Sequence, residues 1–289
     1  VTTVRVERTL PFLFAHQLQQ AGITLNYDED YGVLQRRVKN DEELEHLRAV
    51  QKITEATMEM ACSLIGRSPA DAEGVLQHEG AALTSERVRQ LISRFVLDHD
   101  CTTLHDSIVV TVPHVADCHH FGTGPLRKDL PVIVDIFPTH NHSHYCGDCT
   151  RTVVNGDVSD IVRDMHACVV RANAAGCAAL QPGTTGQAVH EAVAAVIREG
   201  GYSMGAPTSE KDEEWIGMRH GTGHGIGLDV HEPILLATGG GEILEREVFT
   251  VEPGLYSVIH GGVRVEDMVA VTATGHENFN QLHSELDWR

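Results

Sequence analysis

Lysine is nearly missing from this 289-residue chain: Lys39, Lys52, Lys128 and Lys211 are the only four, and the other basic residues are arginines. Together they number 22 against 41 acidic residues, for a formal charge of −19. A field of that sign repels phosphate backbones, so nucleic acid is not an expected partner. Long apolar runs are missing too. None approaches the roughly 18 residues that a membrane-spanning helix needs, so no membrane is expected. The first residues, from Val1 to Phe14, lack a basic stretch, a long apolar stretch and a small-residue cleavage site in series, so no signal peptide is read. There is no initiator Met, and the expectation is a trimmed chain or a fragment.

Cysteine is present but in no scaffold pattern. The seven cysteines are an odd number, and no C-x-x-C pair recurs at zinc-ribbon spacing. In a chain this long that argues against a disulfide framework and suits a reducing cytoplasm. The one C-x-x-C, Cys146 to Cys149, encloses Asp148 within an expected strand, whereas a thioredoxin-type motif opens a helix.

What is there is order. Residues 1–39 read as the end of something larger: a short helix in FLFAHQLQQAG closed by Gly22, then a strand and a connector. The piece is too short to hold a core alone. From Asn40 the pattern strengthens. Asn40 can cap a helix whose first turn carries Glu42 and Glu43, and Leu44, Leu47, Ile53, Met58 and Leu64 recur at near-helical spacing. A second helix follows a cap at Thr84-Ser85. Then come a strand over 107–112 and a hairpin over 131–138 and 145–154. The second half repeats the order: a helix over 160–180, another from Thr185-Gly186 to about Arg198, and a hairpin in EVFTVEPGLYSVI and GVRVEDMVAVT. Helix, helix and hairpin twice over suggests a pseudo-twofold domain.

Each hairpin carries two acids in an apolar setting. Asp135 lies in VIVDIF and Asp148 in the partner strand; Glu252 lies in FTVEPG and Glu266 in VRVEDMVAV. A buried carboxylate is costly unless it is paired or binds a cation. Four of them brought together by hairpin pairing repel one another, and a pair of divalent cations would resolve that. His224, in HGTGHGIGLDVHEP, is the fifth candidate; its neighbouring glycines allow close backbone approach. Neutral imidazole suits manganese, cobalt, iron or zinc better than magnesium or calcium. His220 and His231 then remain free to donate a hydrogen bond or move a proton.

From Asn40 onward the chain resembles the pita-bread metallopeptidases, which include methionine aminopeptidase, aminopeptidase P and prolidase. The resemblance rests on VIVDIFP, YCGDCTRTVVNG, HGTGHGIGLDVHEP, TVEPGLY and GGVRVEDMV, in family order. It implies an α+β fold in which helices cover a pseudo-twofold antiparallel sheet. It implies Asp135, Asp148, His224, Glu252 and Glu266 as ligands of two divalent metal ions, with Asp148 and Glu266 bridging and manganese favoured over cobalt, zinc or iron. His119 is the better match to a substrate-facing histidine and His120 the second. His231 and His220 match two further catalytic histidines, Glu252 is implied in proton transfer, and Arg264 in support of the ligand carboxylates. The implied reaction is hydrolysis at the free amino terminus of short peptides, by a homodimer in the cytoplasm. The junction around LPFLFAHQLQQAGITL and RRVKNDEELEHLR, with GGVRVED close behind TVEPGLY, favours the proline-specific branch. On this reading residues 1–39 are the remnant of a creatinase-like amino-terminal domain and 40–289 the catalytic domain. The alternatives are a methionine aminopeptidase, a metal-free C–N hydrolase like creatinase, and a non-catalytic binding module on the same fold. Arg219 and Cys149 depart from the family pattern, each replacing an apolar residue.

Other histidines are read as bland. His140, His142 and His144 fall at a hairpin turn and are expected in solvent. His114 and His120 are expected to bond locally, and His166, His190, His276 and His283 to be surface or satisfied residues. GTGHGIG lacks the strand, helix and lysine of a nucleotide loop. The acidic run Ser209 to Trp215 is expected to be a solvated loop.

Overall fold

The computed structural model describes residues 1–7, 9–28, 31–207 and 212–289. Ser209 to Lys211, the start of the acidic run, lie outside the described residues; Asp212 to Glu214 are exposed. No helix among the described residues is long and apolar enough to cross a membrane.

Three helices start where the sequence places their caps, after Asn40, Thr84 and Thr185. Helix α1 spans Phe12–Gln20 and α2 spans Asp41–Arg67. Asn40 accepts from the Glu43 N–H while Glu43 accepts from the Asn40 N–H, a reciprocal capping box. Helix α3 (Ser85–Leu97) is capped by Thr84, α4 (Asp160–Ala179) by Ser159 and α5 (Gly186–Glu199) by Thr185. In each the hydroxyl accepts a backbone N–H that the first turn cannot satisfy internally.

The sheets follow the duplicated order. In the first half, Ile108–Val110, Pro131–Ile136 and Cys149–Val154 form an antiparallel ladder in which Asp135 sits opposite Thr150. In the second, Val248–Val251 pairs with Asp267–Thr272, and Gly254–Ser257 pairs with Gly261–Arg264. The expected long hairpin is therefore broken in the middle, and the breaks are where Glu252 and Glu266 lie. The halves meet where the Glu266 N–H donates to the Thr150 carbonyl at 3.1 Å.

Strand alternation explains which residues face the site. Successive side chains point to opposite faces. Val132, Val134 and Ile136 pack with Met58, Ile65 and Ile92 under α2 and α3. Val263 and Val265 pack with Val162, Val169 and Ile197 under α4 and α5. The alternate positions, Asp135 in the first case and Arg264 and Glu266 in the second, are left on the opposite face. Burial of each large aliphatic side chain contributes about 1.5–3 kcal/mol, so the helix-covered faces hold the strands in register.

Residues 1–39 add an element that periodicity missed. Thr3–Val6 and Thr24–Tyr27 form a parallel pair, with α1 as the crossover. Helix α1 buries none of its residues, and Phe12 is 82% exposed. This unit meets the rest of the chain through Arg36, Arg37 and Lys39.

A buried arginine ties the two hairpins to the carboxyl-terminal tail. Arg151 donates to the carbonyls of Glu266 (2.7 Å), His283 (3.0 Å) and Leu282 (3.1 Å), and pairs with Asp267 at 2.8 Å. Replacing it by Met leaves the Asp267 carboxylate without its cation. Arg151→Met should cost about 3–5 kcal/mol of stability, read from the urea unfolding midpoint.

Candidate metal centre and its cavity

Asp135, Asp148, His224, Glu252 and Glu266 all line one cavity of about 480 Å³, together with His119, His220, His231 and Arg264. Asp148, His224 and Glu266 present ligand atoms within 4.8 Å of one another. The His224 Nε2 lies 3.9 Å from Asp148 Oδ2 and 3.9 Å from Glu252 Oε1. Its Nδ1 is 3.1 Å from the Gly225 carbonyl, which can only accept, so the proton sits on Nδ1 and Nε2 keeps its lone pair. Burial holds this imidazole down at about 3, so it is neutral near pH 7. The glycines around it serve close approach as expected: a Cβ on Gly223 would stand 1.9 Å from the Thr250 carbonyl oxygen.

Two of the carboxylates, and the backbone of a third, are held from behind. Arg264 Nη2 donates to Asp135 Oδ2 at 2.6 Å, and its Nε to the Thr150 hydroxyl at 3.3 Å. Thr150 donates to Glu266 Oε2 at 2.6 Å. Gln51, from the buried face of α2, brackets the Asp148 backbone: its Oε1 accepts the Asp148 N–H at 3.0 Å and its amide donates to the Asp148 carbonyl at 2.6 Å. Sequence reasoning missed both Gln51 and Thr150. Gln51 carried a signal, since a polar residue interrupts the apolar stripe of Leu44, Leu47 and Met58. Thr150 carried none.

Other oxygens are left over. Asp135 Oδ1 and Asp148 Oδ1 are buried without a hydrogen-bond partner. Burial pushes the pKa of all four carboxyls up. For Asp148 the charges of Glu266, Asp135 and Glu252 push the same way, and for Glu266 those of Asp135 and Glu252. Glu252 is pushed up to about 7. Unpartnered buried oxygens, crowded like charges and one neutral imidazole lone pair form a donor set suited to divalent cations of the manganese-to-zinc series.

The histidines divide. His119 lines the cavity, whereas His120 stacks on His114 at 4.4 Å and accepts from the Gly122 N–H at 2.9 Å. His231 lines the cavity edge-on to His224, with ring centroids 4.2 Å apart. His220 lines it too, but both its nitrogens are engaged. Nδ1 donates to the Gly221 carbonyl at 2.7 Å and Nε2 accepts from the Tyr256 hydroxyl at 2.7 Å, which in turn accepts from Arg264 Nη1 at 3.0 Å. His140, His142 and His144 sit at the hairpin tip, where His140 bonds Ser143 and His142 and His144 are exposed. His166 and His190 are satisfied by the Ser284 carbonyl and the Thr222 hydroxyl. The seven cysteines are free. Cys146 lines the cavity and Cys149 is buried against Asn280; the strand begins only at Cys149, so Cys146 and Asp148 precede it, contrary to the expected strand.

Two helix–helix–hairpin halves joined over a buried carboxylate–histidine cluster define an α+β protein with a candidate cation-binding centre. The chain belongs to metallopeptidase family M24, whose sequence model matches residues 45–273. It is 35% identical over 181 residues to a protein named probable dipeptidase PepE from Mycobacterium tuberculosis, covering 62% of this chain and 45% of the relative. An uncharacterized peptidase of Staphylococcus haemolyticus is 28% identical over 244 residues, 84% of this chain and 62% of that one. The chain thus spans less than two thirds of the length of either relative. The solved Xaa-Pro dipeptidase from Bacillus anthracis superposes with a TM-score of 0.79 at 26% identity, covering 96% of this chain and 72% of that one. Dipeptidase PepE from Mycobacterium ulcerans gives 0.79 at 27%, covering 98% and 70%. The prolidase from Pyrococcus horikoshii gives 0.81 at 22%, covering 99% and 76%, a likeness of fold. The expected pita-bread fold is present.

The raised carboxyl pKa values set a pH dependence. A group protonated more readily in the fold than in the unfolded chain stabilises below its ordinary pKa, and that contribution is lost as pH rises through its folded value. Buried histidines with lowered pKa oppose this below about pH 6.5 and add no slope above it. Protein stripped of metal by chelation should therefore lose thermal stability between about pH 6.5 and 8. Added divalent cation should remove that slope, as measured by scanning calorimetry.

Proposed function

We propose that this chain is the catalytic part of a dinuclear metal-dependent exopeptidase that removes the first residue of short peptides, with Xaa-Pro substrates preferred. The observation that carries this reading is the convergence of all five sequence-selected ligands on one cavity. Asp135, Asp148, His224, Glu252 and Glu266 would hold the cations. When bound, they would supply Lewis acidity and make a water acidic enough to attack near neutral pH.

The remaining steps belong to side chains of this chain. Glu252 receives the proton released when water adds to the first peptide carbonyl, and passes it to the departing amine. His119 and His231 donate hydrogen bonds to the oxygen on which negative charge develops. His220 orients Arg264 through Tyr256, so its contribution is to hold Asp135 rather than to touch substrate. Leu104, Ile108, Phe121 and Phe137 form an apolar wall of the cavity, a surface suited to a proline ring. Residues 40–289 are the catalytic unit in this reading, and residues 1–39 belong to a separate amino-terminal unit. Manganese is the favoured metal.

The protein should be stripped, reloaded with manganese, cobalt, zinc or iron, and assayed on Xaa-Pro dipeptides, Xaa-Pro-Yaa peptides and Met-Ala peptides. Turnover is expected on the proline substrates. Cleavage of Met-Ala alone would select a methionine aminopeptidase, and no turnover with any metal would select a binding module. Asp148→Asn should remove metal-stimulated activity, and full turnover with full metal content in that variant would overturn the ligand assignment. Arg264→Lys keeps the charge but loses the fork, and should lower metal affinity or activity about 10–100-fold.

A further inference from the structure

Glu232 follows His231 directly, and its side chain is fully buried, with 0% exposed. An ionised carboxylate there needs a counter-charge. It finds one outside the duplicated hairpins, in the segment that leads into α2. Lys39 Nζ, itself 3% exposed, lies 3.0 Å from Glu232 Oε2, and Arg36 Nη2 lies 3.4 Å from Oε1. The Lys39 main chain is anchored as well, since its N–H donates to the Arg246 carbonyl at 3.0 Å.

The same carboxylate closes a loop of the cavity wall. Glu232 Oε1 accepts the N–H of Leu228 at 3.1 Å and of Asp229 at 3.4 Å. Gly227 leaves it room, because a Cβ there would stand 2.7 Å from Oε2. The loop from 227 to 231 thus folds around one anion, and its last residue is His231. Arg36 also pairs with Asp229, on the cavity rim, at 2.6 Å. Lys39 is not among the residues that line the cavity.

We propose that Lys39 and Arg36 are positioning residues: by holding the Glu232 carboxylate they set where His231 stands, and so couple the amino-terminal segment to catalysis. The inference rests on the role assigned to His231 above. Without the ammonium, Glu232 keeps only a longer contact to a half-buried guanidinium. It then turns toward its remaining cation, and the two N–H groups it holds go with it. A shift of that size at a group that contacts the reacting carbonyl changes kcat more than KM.

The test uses the whole chain, metal-loaded, in parent, Lys39→Met, His231→Ala and the double variant. Lys39→Met should lower kcat about 10-fold or more, with KM changed less and cation content as in the parent. In the His231→Ala background the same substitution should cost less than about 2-fold, since its route is already removed. Losses that multiply, or an unchanged kcat in Lys39→Met, would overturn the inference. Should Lys39→Met fail to fold, Arg36→Met at a 30% exposed position serves instead, with about a 3-fold loss that again vanishes beside His231→Ala. The imidazole nitrogen signals of His231 are a readout free of turnover. They should shift in Lys39→Met and in Arg36→Met, and an unmoved signal refutes the coupling. A fully active His231→Ala would refute the catalytic role of His231, and the signal alone then decides the coupling.

Discussion

Everything near the cavity answers to one constraint: four carboxylates stand within a few side chains of one another, largely out of water. Burial and mutual repulsion both work against their ionised forms. The fold meets part of the cost with one buried guanidinium, Arg264, which reaches Asp135 directly and Glu266 through Thr150. The remainder falls on two buried oxygens that no protein group satisfies. That unmet charge is what bound divalent cations would offset, in keeping with a member of a metallopeptidase family.

The architecture separates stability from chemistry. Helix-facing strand positions carry Val, Ile and Cys, and they hold the two hairpins under their own helices. The alternate positions are thereby free to carry charge. Arg151 then joins the hairpins through Asp267 and main-chain carbonyls, that of Glu266 among them, and touches no side chain of the proposed metal set. A change on one face need not disturb the other. Two links cross between the faces: the Glu266 carbonyl held by Arg151, and Gln51, which reaches from α2 to the Asp148 backbone and makes helix packing part of the site geometry.

The amino-terminal segment is the least self-sufficient part of the chain. Its helix α1 buries nothing, yet the stretch just after it carries the charges that neutralise Glu232 and Glu247 inside the larger unit. Short as it is, this segment is tied into the wall of the cavity. That makes the junction a place where a change in the amino-terminal segment can reach the cavity wall beside His231.

The helices, their caps, the strand alternation and the five acid and imidazole positions could all be read from residue order. Each is a local property: a cap needs its next three residues, and a carboxylate among Val and Ile announces its own cost wherever the strand goes. The first strand, Thr3–Val6, escaped because four residues show too little alternation to stand out. The break in the second hairpin escaped because nothing in the pattern marks where pairing lapses. Tertiary structure alone decided which histidine of His119 and His120 faces the cavity, that His220 spends both nitrogens on its neighbours, and that Thr150, Gln51 and Lys39 stand behind the site. Those are contacts between residues up to about two hundred positions apart, and no local preference encodes them: they exist only once the hairpins have closed on each other.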